Sequence, residues 1–300
     1  MQHASVQSPA TPAPSAFPWP AGYAGARTLA FEVETTGVGL HSGATSRVRL
    51  APSSRPGFWL GWLDSPAIPI QRLSPSQVCE TTLCTALQVG ERRLATVEHL
   101  LAALAGTGVT QAELWLEGPE VPLLDGSALP WVELIAEAGL EELAAGSELP
   151  RLARPVTVHE GGGWVTALPA MAPHLGAAIE FGESAIGRQF QAFPLTPARF
   201  VAEIAPARTF GLRSQVDQLR AAGLIRGGNL DNALVCDGER WLNPPLRFAD
   251  EPVRHKILDL LGDLALVGLP QAQVFAYRGS HRLHTALAAA LEAELAPLPA

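Results

Sequence analysis

The sequence contains little cysteine and no long hydrophobic run, and each shortage excludes a class of protein. Three cysteines, at positions 79, 84 and 236, occur among 300 residues, and no two of them form a CxxC pair. This argues against a disulfide framework and against a cysteine-ligated zinc site. No apolar run is long enough to span a bilayer, and the N-terminus lacks the basic and then apolar layout of a signal peptide. We therefore expect a cytoplasmic protein without stable membrane insertion.

Charged side chains are also few, and their balance is acidic. They make up 17% of the chain, against 47% hydrophobic residues, and the formal net charge is −8. This composition is typical of a globular protein, and the negative charge disfavours a protein that coats nucleic acid. We expect a monomer that acts on a small-molecule substrate and has no nucleic-acid partner.

Composition along the chain divides it into three parts. Residues 1–24 are rich in Pro, Ala and Ser, which predicts a mobile N-terminal extension. A polar, proline-containing stretch at 148–155 (ELPRLARP) is typical of a domain boundary. We therefore predict a first domain over 25–150 and a second over 151–300.

Local residue patterns predict the elements of these domains. Thr96 is a good N-cap for an apolar helix that ends at Gly106. Further helices are predicted over 128–139 and 214–222. Strands are predicted over 28–35, 46–51, 81–88, 112–117, 156–159 and 163–168.

One predicted helix, EPVRHKILDLLGD at 251–263, carries His255, Asp259 and Asp263 on a single face, because residues four apart stack on a helix. A histidine and an aspartate at this spacing can bind one metal ion. Lys256 beside them is the only lysine among 21 cationic residues. The same spacing also suits a buried helix with a solvated polar stripe, so the helix alone does not decide for a metal site.

The two halves of the chain repeat one another. VEH at 97–99 has its echo in VRH at 253–255, and each opens an apolar helix. After these helices, GVTQAELW (108–115) matches GLPQAQVF (268–275), and a Gly-Ser pair precedes a helix in both halves. The offset grows from 156 residues at the histidines to 160 at the strands. The second helix is therefore predicted to be about one turn longer.

This repeat predicts an α+β fold of two similar domains, each a sheet with helices on one face, related by a pseudo-two-fold axis. Such an axis brings equivalent helix starts together, so His99 could meet His255 and Asp259 at the domain interface. Two histidines and an aspartate leave a fourth position open, as a catalytic zinc ion requires. Glu98, next to a ligand, becomes a candidate base for the attacking water.

His281 opens the final predicted helix. A helix N-terminus disfavours a cationic imidazole unless a carboxylate offsets the helix dipole, and Asp263 is the natural candidate for that carboxylate. Taken alone, His281 is better explained as a polar residue that faces water. His284 lies one helical turn after His281, and we assign it no function from the sequence.

Several stretches together resemble one family, the UDP-3-O-acyl-N-acetylglucosamine deacetylases, which are zinc hydrolases of lipid A biosynthesis. Their order and spacing agree over about residues 28–296. The stretches are TGVGLHSG (36–43), TVEHLLAALAGTGV (96–109), PLLDGSA (122–128), ARTFG (207–211), GGNLDNALV (227–235), LRFADEPVRHKILDLLGDLAL (246–266) and GSHRLH (279–284).

The resemblance implies a fold in which helices are sandwiched between two sheets, with the active site at the domain interface. It implies Zn²⁺ bound by His99, His255 and Asp259. The catalytic residues that it implies are Glu98 as general base, His281 as general acid supported by Asp263, and Thr209 and Lys256 at the oxygen of the scissile amide. We assign four residues to substrate binding: Phe210, Leu40, Cys84 and Lys256.

The implied reaction removes the N-acetyl group of UDP-3-O-(3-hydroxyacyl)-N-acetylglucosamine, giving acetate and UDP-3-O-acyl-glucosamine, the committed step of lipid A biosynthesis. Two residues depart from the family pattern: Ser280, where glycine is more common, and His284, where asparagine is more common. The segment expected to line the acyl passage, 181–193, matches less strictly. The alternatives are a deacetylase of another N-acetyl sugar nucleotide and a non-catalytic homologue that binds a ligand or partner.

Overall fold

The structure is a computed structural model that describes residues 17–144 and 149–295. Residues 1–16, 145–148 and 296–300 lie outside the described residues, and with them most of the predicted extension and part of the predicted domain boundary. Tyr23, which the sequence assigned to the extension, is buried and donates a hydrogen bond to the carbonyl oxygen of Gly106 (2.9 Å). No helix among the described residues is long and apolar enough to cross a lipid bilayer.

The first half of the described chain is built from ten strands and two helices. A 3₁₀ turn at Pro75–Gln77 precedes the sixth strand. The elements are β1 (Ala26–Leu29), β2 (Val33–Val38), β3 (Thr45–Ala51), β4 (Gly57–Trp62), β5 (Gln71–Arg72), β6 (Val78–Glu80), β7 (Ala86–Val89), β8 (Arg92–Leu94), α1 (Glu98–Gly106), β9 (Gln111–Glu117), α2 (Leu129–Ala138) and β10 (Leu140–Leu143).

The second half follows the same plan with more helix. A π-helical turn at Phe200–Ile204 continues its first, very short helix. The elements are β11 (Val156–Glu160), β12 (Gly163–Pro169), β13 (His174–Glu180), β14 (Arg188–Pro194), α3 (Pro197–Arg199), β15 (Phe210–Leu212), α4 (Arg213–Ala221), β16 (Leu234–Asp237), β17 (Arg240–Trp241), α5 (Glu251–Leu264), β18 (Ala272–Tyr277) and α6 (His281–Glu294).

Two five-stranded sheets share one topology. The first has the order β2-β3-β9-β4-β5 and the second the order β11-β12-β18-β13-β14. In each, the late central strand runs antiparallel to its neighbour on one side and parallel to its neighbour on the other. Equivalent strands occupy equivalent places, which confirms the internal repeat that the sequence predicted. Three smaller sheets, β1-β10, β6-β7-β8 and β15-β16-β17, are added to this frame.

The main helices form a layer between the two sheets. Helix α1 packs against α5, α5 packs on β13 and β14, and α6 packs on β11 and β12. Every residue of α1 is buried, and so are all but two residues of α5. A helix that is buried on all sides belongs in the interior, and these two helices lie where the halves of the chain meet. The predicted α+β sandwich is confirmed.

Helices α1 and α5 approach each other closely at Gly262. A Cβ atom added there would lie 2.0 Å from the carbonyl oxygen of Glu98. Backbone therefore touches backbone at this point, and no side chain fits between the helices. Asp259 and Asp263 flank Gly262 on α5, while His99 follows Glu98 on α1. This contact fixes the residues of one half of the chain relative to those of the other.

The predicted difference in helix length is also confirmed, since α5 has 14 residues and α1 has nine. More of the extra residues precede His255 than follow it. This places the start of α5 further from the histidine than the repeat suggested.

Three local predictions are wrong, each because of a contact with a distant segment. The strand predicted over 28–35 is split, because β1 pairs with β10 while β2 pairs with β3. Thr96 does not cap α1. It adopts a left-handed backbone (φ 59°), and its hydroxyl donates to the buried carboxylate of Glu120 (2.8 Å). The strand predicted over 81–88 begins only at Ala86, because the backbone N–H of Thr85 turns inward to donate to Glu98 (3.0 Å).

We expect the substitution Gly262→Ala to lower the free energy of unfolding by about 1–3 kcal/mol, because the methyl group meets backbone that cannot yield. In a helix without this contact the same change raises stability. Urea unfolding measures the effect. Gly182→Ala is the control, since its Cβ meets no atom within 4 Å. A Gly262→Ala protein as stable as that control contradicts the proposed close contact.

Candidate active site

The site lies where the start of α1, one face of α5 and the start of α6 converge. Helix α1 comes from the first half of the chain, and α5 and α6 come from the second. The loop before β15 and the turn before β7 complete the walls. Three buried histidines and three buried carboxylates meet here: His99, His255, His281, Glu98, Asp259 and Asp263.

His99, His255 and Asp259 form the first cluster. Asp259 Oδ1 lies 3.3 Å from His255 Nε2 and 3.7 Å from His99 Nε2. The two imidazole rings meet edge to face, with centroids 5.0 Å apart. His255 Nδ1 donates to the carbonyl oxygen of Ala207 (3.0 Å), which leaves Nε2 directed into the cluster. Such a backbone contact orients an imidazole as metal ligands are usually oriented.

The protonation states of this cluster suit a metal ion. Burial lowers the pKa of His99 to about 3 and also lowers the pKa of His255. Burial acts to raise the pKa of Asp259, but the attraction of its positive surroundings, which include the Lys256 ammonium, outweighs it and holds that pKa well below its usual range. The cluster thus offers two neutral imidazoles and one carboxylate, the forms that bind metal.

Asp259 Oδ1 is the observation that most favours a metal ion here. This oxygen is buried and has no hydrogen-bond partner among the described residues, whereas its companion Oδ2 accepts from Lys256 Nζ (2.8 Å). A buried oxygen without a partner is costly and rare in native proteins. The three ligand atoms lie within 4.8 Å of one another. The residues present therefore fit a metal ion.

Glu98 lies beside this cluster and is itself fully buried. Its Oε2 accepts from the backbone N–H of Thr85 (3.0 Å), and its Oε1 lies 3.8 Å from His281 Nε2. Burial raises the pKa of Glu98 to about 8, although the charge of His281 opposes that rise. A carboxylate with such a pKa can accept a proton near neutral pH.

His281 and Asp263 form a buried pair, with 3.0 Å between His281 Nδ1 and Asp263 Oδ2. Burial acts to lower the pKa of His281, but the charges of Asp263 and Glu98 outweigh it and raise that pKa to about 9. A pKa of about 9 favours the protonated form of His281 at neutral pH, and Asp263 lies where the predicted carboxylate partner should be. Ser280 caps α6 by accepting from the backbone N–H of Leu283 (3.2 Å) in an ordinary extended conformation.

Thr209 and Phe210 stand on the other wall. The backbone N–H of Thr209 donates to Gly126 O (2.7 Å), and its carbonyl accepts from Leu234 N (2.9 Å), so both halves of the chain hold this residue. Lys256 Nζ lies 5.7 Å from the ring centroid of Phe210, within cation–π range. Lys256 therefore contacts both the carboxylate of Asp259 and the ring of Phe210.

A cavity of about 360 Å³ opens beside this wall. Leu40, Thr209 and Phe210 line it, whereas Cys84 is buried outside its lining. Burial and the charge of Glu98 raise the pKa of the Cys84 thiol to about 12. Phe181, at the start of the segment predicted to line an acyl passage, meets Phe210 edge to face at 5.5 Å. Phe181 of the second half therefore packs against a residue that lines the cavity.

Two supporting residues escaped the sequence analysis. Thr85 Oγ1 donates to Asp263 Oδ1 (2.5 Å), in addition to its backbone bond to Glu98. Glu120 accepts from the backbone N–H groups of His41 (2.9 Å) and Ser42 (2.7 Å), and so holds the glycine-rich turn after β2. No spacing or motif pointed to either residue, because both act on segments that are distant in the sequence.

Comparison with known proteins finds similarity along most of this chain. The model of the family described as "LpxC: UDP-3-O-acyl N-acetylglycosamine deacetylase" matches residues 26–293. A protein of Trichormus variabilis named UDP-3-O-acyl-N-acetylglucosamine deacetylase is 48% identical over 268 residues, which cover 87% of this chain and 96% of that protein. A protein of the same name from Shewanella loihica is 42% identical over 276 residues, covering 89% and 90%.

We expect Asp259→Asn to lose its bound metal, because a neutral amide replaces the anionic ligand while the shape is kept. Elemental analysis of the purified full chain measures this. Asp263→Asn is the matched control, since it removes a buried carboxylate one turn away and should retain the metal. A stoichiometric metal content in Asp259→Asn, or its loss in Asp263→Asn, contradicts the assignment of the cluster.

Proposed function

The chain belongs to the UDP-3-O-acyl N-acetylglycosamine deacetylase family, and on that premise we propose that it hydrolyses the N-acetyl group of UDP-3-O-acyl-N-acetylglucosamine. The products are acetate and the free 2-amino sugar nucleotide. The observation that carries the proposal is the unpartnered Asp259 Oδ1 between two neutral imidazoles. A candidate general base, Glu98, and a candidate general acid, His281, both lie beside it, which a protein that only binds a ligand does not require.

Zinc is the ion that we propose for His99, His255 and Asp259, because two imidazoles and one carboxylate with an open fourth position are typical of catalytic zinc sites. When bound, zinc lowers the pKa of a coordinated water towards about 7 and polarises a carbonyl. We further propose that the enzyme works in the cytoplasm as a monomer.

Glu98 is the proposed general base. It takes a proton from the water that attacks the acetyl carbon, and the short turn at Thr85 holds one carboxylate oxygen while the other faces the site. On the opposite wall, the Thr209 hydroxyl and the Lys256 ammonium stabilise the negative charge that develops on the acetyl oxygen. Loss of one such donor typically slows a reaction by about 10²–10³-fold.

His281 is the proposed general acid. Its Nδ1 is engaged by Asp263, so Nε2 carries the proton that can reach the leaving sugar nitrogen. Nε2 also lies 3.8 Å from Glu98 Oε1, which places base and acid on the same side of the site. Phe210 and Leu40 line the cavity that would receive the substrate, and Phe181 packs against the ring of Phe210.

The decisive test is acetate release. Protein stripped of metal by a chelator should be inactive on UDP-3-O-(3-hydroxyacyl)-N-acetylglucosamine and should regain activity with one equivalent of Zn²⁺. UDP-N-acetylglucosamine, which lacks the acyl chain, serves as the comparison substrate. Absence of acetate release from the acylated substrate by zinc-loaded protein overturns the proposed function, and faster release from the comparison substrate overturns the proposed specificity.

We expect His281→Ala to retain its metal and to lose at least about 10²-fold in kcat, because the leaving amine is no longer protonated. A matched control is His159→Ala, which removes an exposed histidine on β11. His159 is not one of the residues that form the site. Near-normal turnover of His281→Ala would remove this residue from the mechanism.

A further inference from the structure

His284 is a buried histidine that the mechanism above does not use. It lies one helical turn after His281 on α6 and is 1% exposed. Its Nδ1 lies 3.1 Å from Asp263 Oδ2, the same oxygen that lies 3.0 Å from His281 Nδ1. One carboxylate oxygen of Asp263 therefore lies within hydrogen-bond distance of two imidazoles. The sequence alone gave no function to the second of them, His284.

The hydrogen bonds around Asp263 fix where the protons are. An ionised carboxylate only accepts hydrogen bonds, so both imidazoles must present an Nδ1–H to it. Asp263 Oδ1 is already occupied by the Thr85 hydroxyl at 2.5 Å. The carboxylate is thus held at both oxygens by three donors, and its orientation is fixed.

The other nitrogen of His284 shows that this imidazole is neutral. His284 Nε2 is buried and has no hydrogen-bond partner among the described residues. It lies against the backbone, since a Cβ on Gly279 would be 2.5 Å away. A proton on Nε2 would be an unsatisfied buried donor, which is more costly than an unpaired acceptor lone pair. Burial also lowers the pKa of His284, although Asp263 opposes this.

We propose that His284 is a positioning residue for the general acid: its neutral imidazole donates through Nδ1 to Asp263 Oδ2, so that His281 shares this carboxylate instead of holding it alone. This inference rests on the proposed function for the role of His281. The ring centroids of the two histidines are 6.3 Å apart, so His284 acts through Asp263 and does not reach the reacting atoms.

Because Asp263 also accepts a hydrogen bond from His284, His281 should release its proton more readily. A second donor stabilises the negative charge of Asp263, which weakens the attraction of that charge for the proton on His281. Without His284, the pKa of His281 should therefore rise. A substitution at residue 284 leaves the other titratable groups that act on His281 in place, namely Glu98, His99, His41, His255 and Asp259.

The first test reads the tautomer of His284 in the zinc-loaded full-length protein. Long-range ¹H–¹⁵N correlation of histidine-labelled protein at pH 7 should show His284 neutral with its proton on Nδ1. A proton on Nε2, or a cationic ring, overturns the proposal. This result does not depend on any substrate, so it remains decisive if the proposed reaction is wrong or if a variant fails to fold.

The second test compares His284→Leu with His284→Asn in the pH dependence of kcat. The asparagine amide places a donor where Nδ1 stands, whereas leucine keeps the bulk and removes the donor. We expect the alkaline limb of the leucine variant to move to higher pH by at least roughly half a unit, and that of the asparagine variant to stay in place. An unmoved limb in the leucine variant, or equal shifts in both, overturns the proposal. A purely structural role would change stability without moving the limb.

Discussion

The contact between the backbones of α1 and α5 is the constraint on which the site depends. Because Gly262 has no side chain, Glu98 of the other helix can lie directly against it. Asp259 and Asp263 stand on either side of this glycine, so the contact brings His99 to Asp259 and Glu98 to His281. Each half of the chain contributes only some of the metal-binding and acid–base side chains, and the contact between the helices brings them together.

The balance between burial and nearby charge differs between His281 and the two histidines His99 and His255. His99 and His255 face a single carboxylate that Lys256 already engages, and the cost of desolvation keeps both rings neutral. His281 faces Asp263 and Glu98, and there the carboxylates outweigh burial and keep the ring cationic. Buried charges persist where they are paired, and groups whose pKa values are pushed apart are typical of acid–base sites.

The two clusters also differ in whether both oxygens of their aspartate accept hydrogen bonds. Both Asp263 oxygens accept hydrogen bonds, from Thr85, His281 and His284. Asp259 keeps one oxygen without a partner among the described residues. Both groups of three residues could hold an ion on distance alone, and this difference supports our proposal of a metal ion at Asp259 and of proton transfer at the His281–Asp263 pair.

The sequence predicted the features that depend on local periodicity. Four-residue spacing placed His255, Asp259 and Asp263 on one face, and the repeat anticipated both the related fold of the two halves and the meeting with His99. Features that depend on distant contacts were not predictable in this way. Thr85 is turned inward by its bonds to Glu98 and Asp263, and the bond from Thr96 to Glu120 displaces the expected helix cap. His284 looked incidental because its partner lies on another helix.

Anomalous diffraction at the zinc absorption edge, from crystals of the zinc-loaded protein, tests most directly whether His99, His255 and Asp259 bind zinc. The account predicts one strong peak within about 2.0–2.2 Å of one atom each of His99, His255 and Asp259. A peak that is instead surrounded by Asp263, His281 and His284, or the absence of a peak at both clusters, would contradict it.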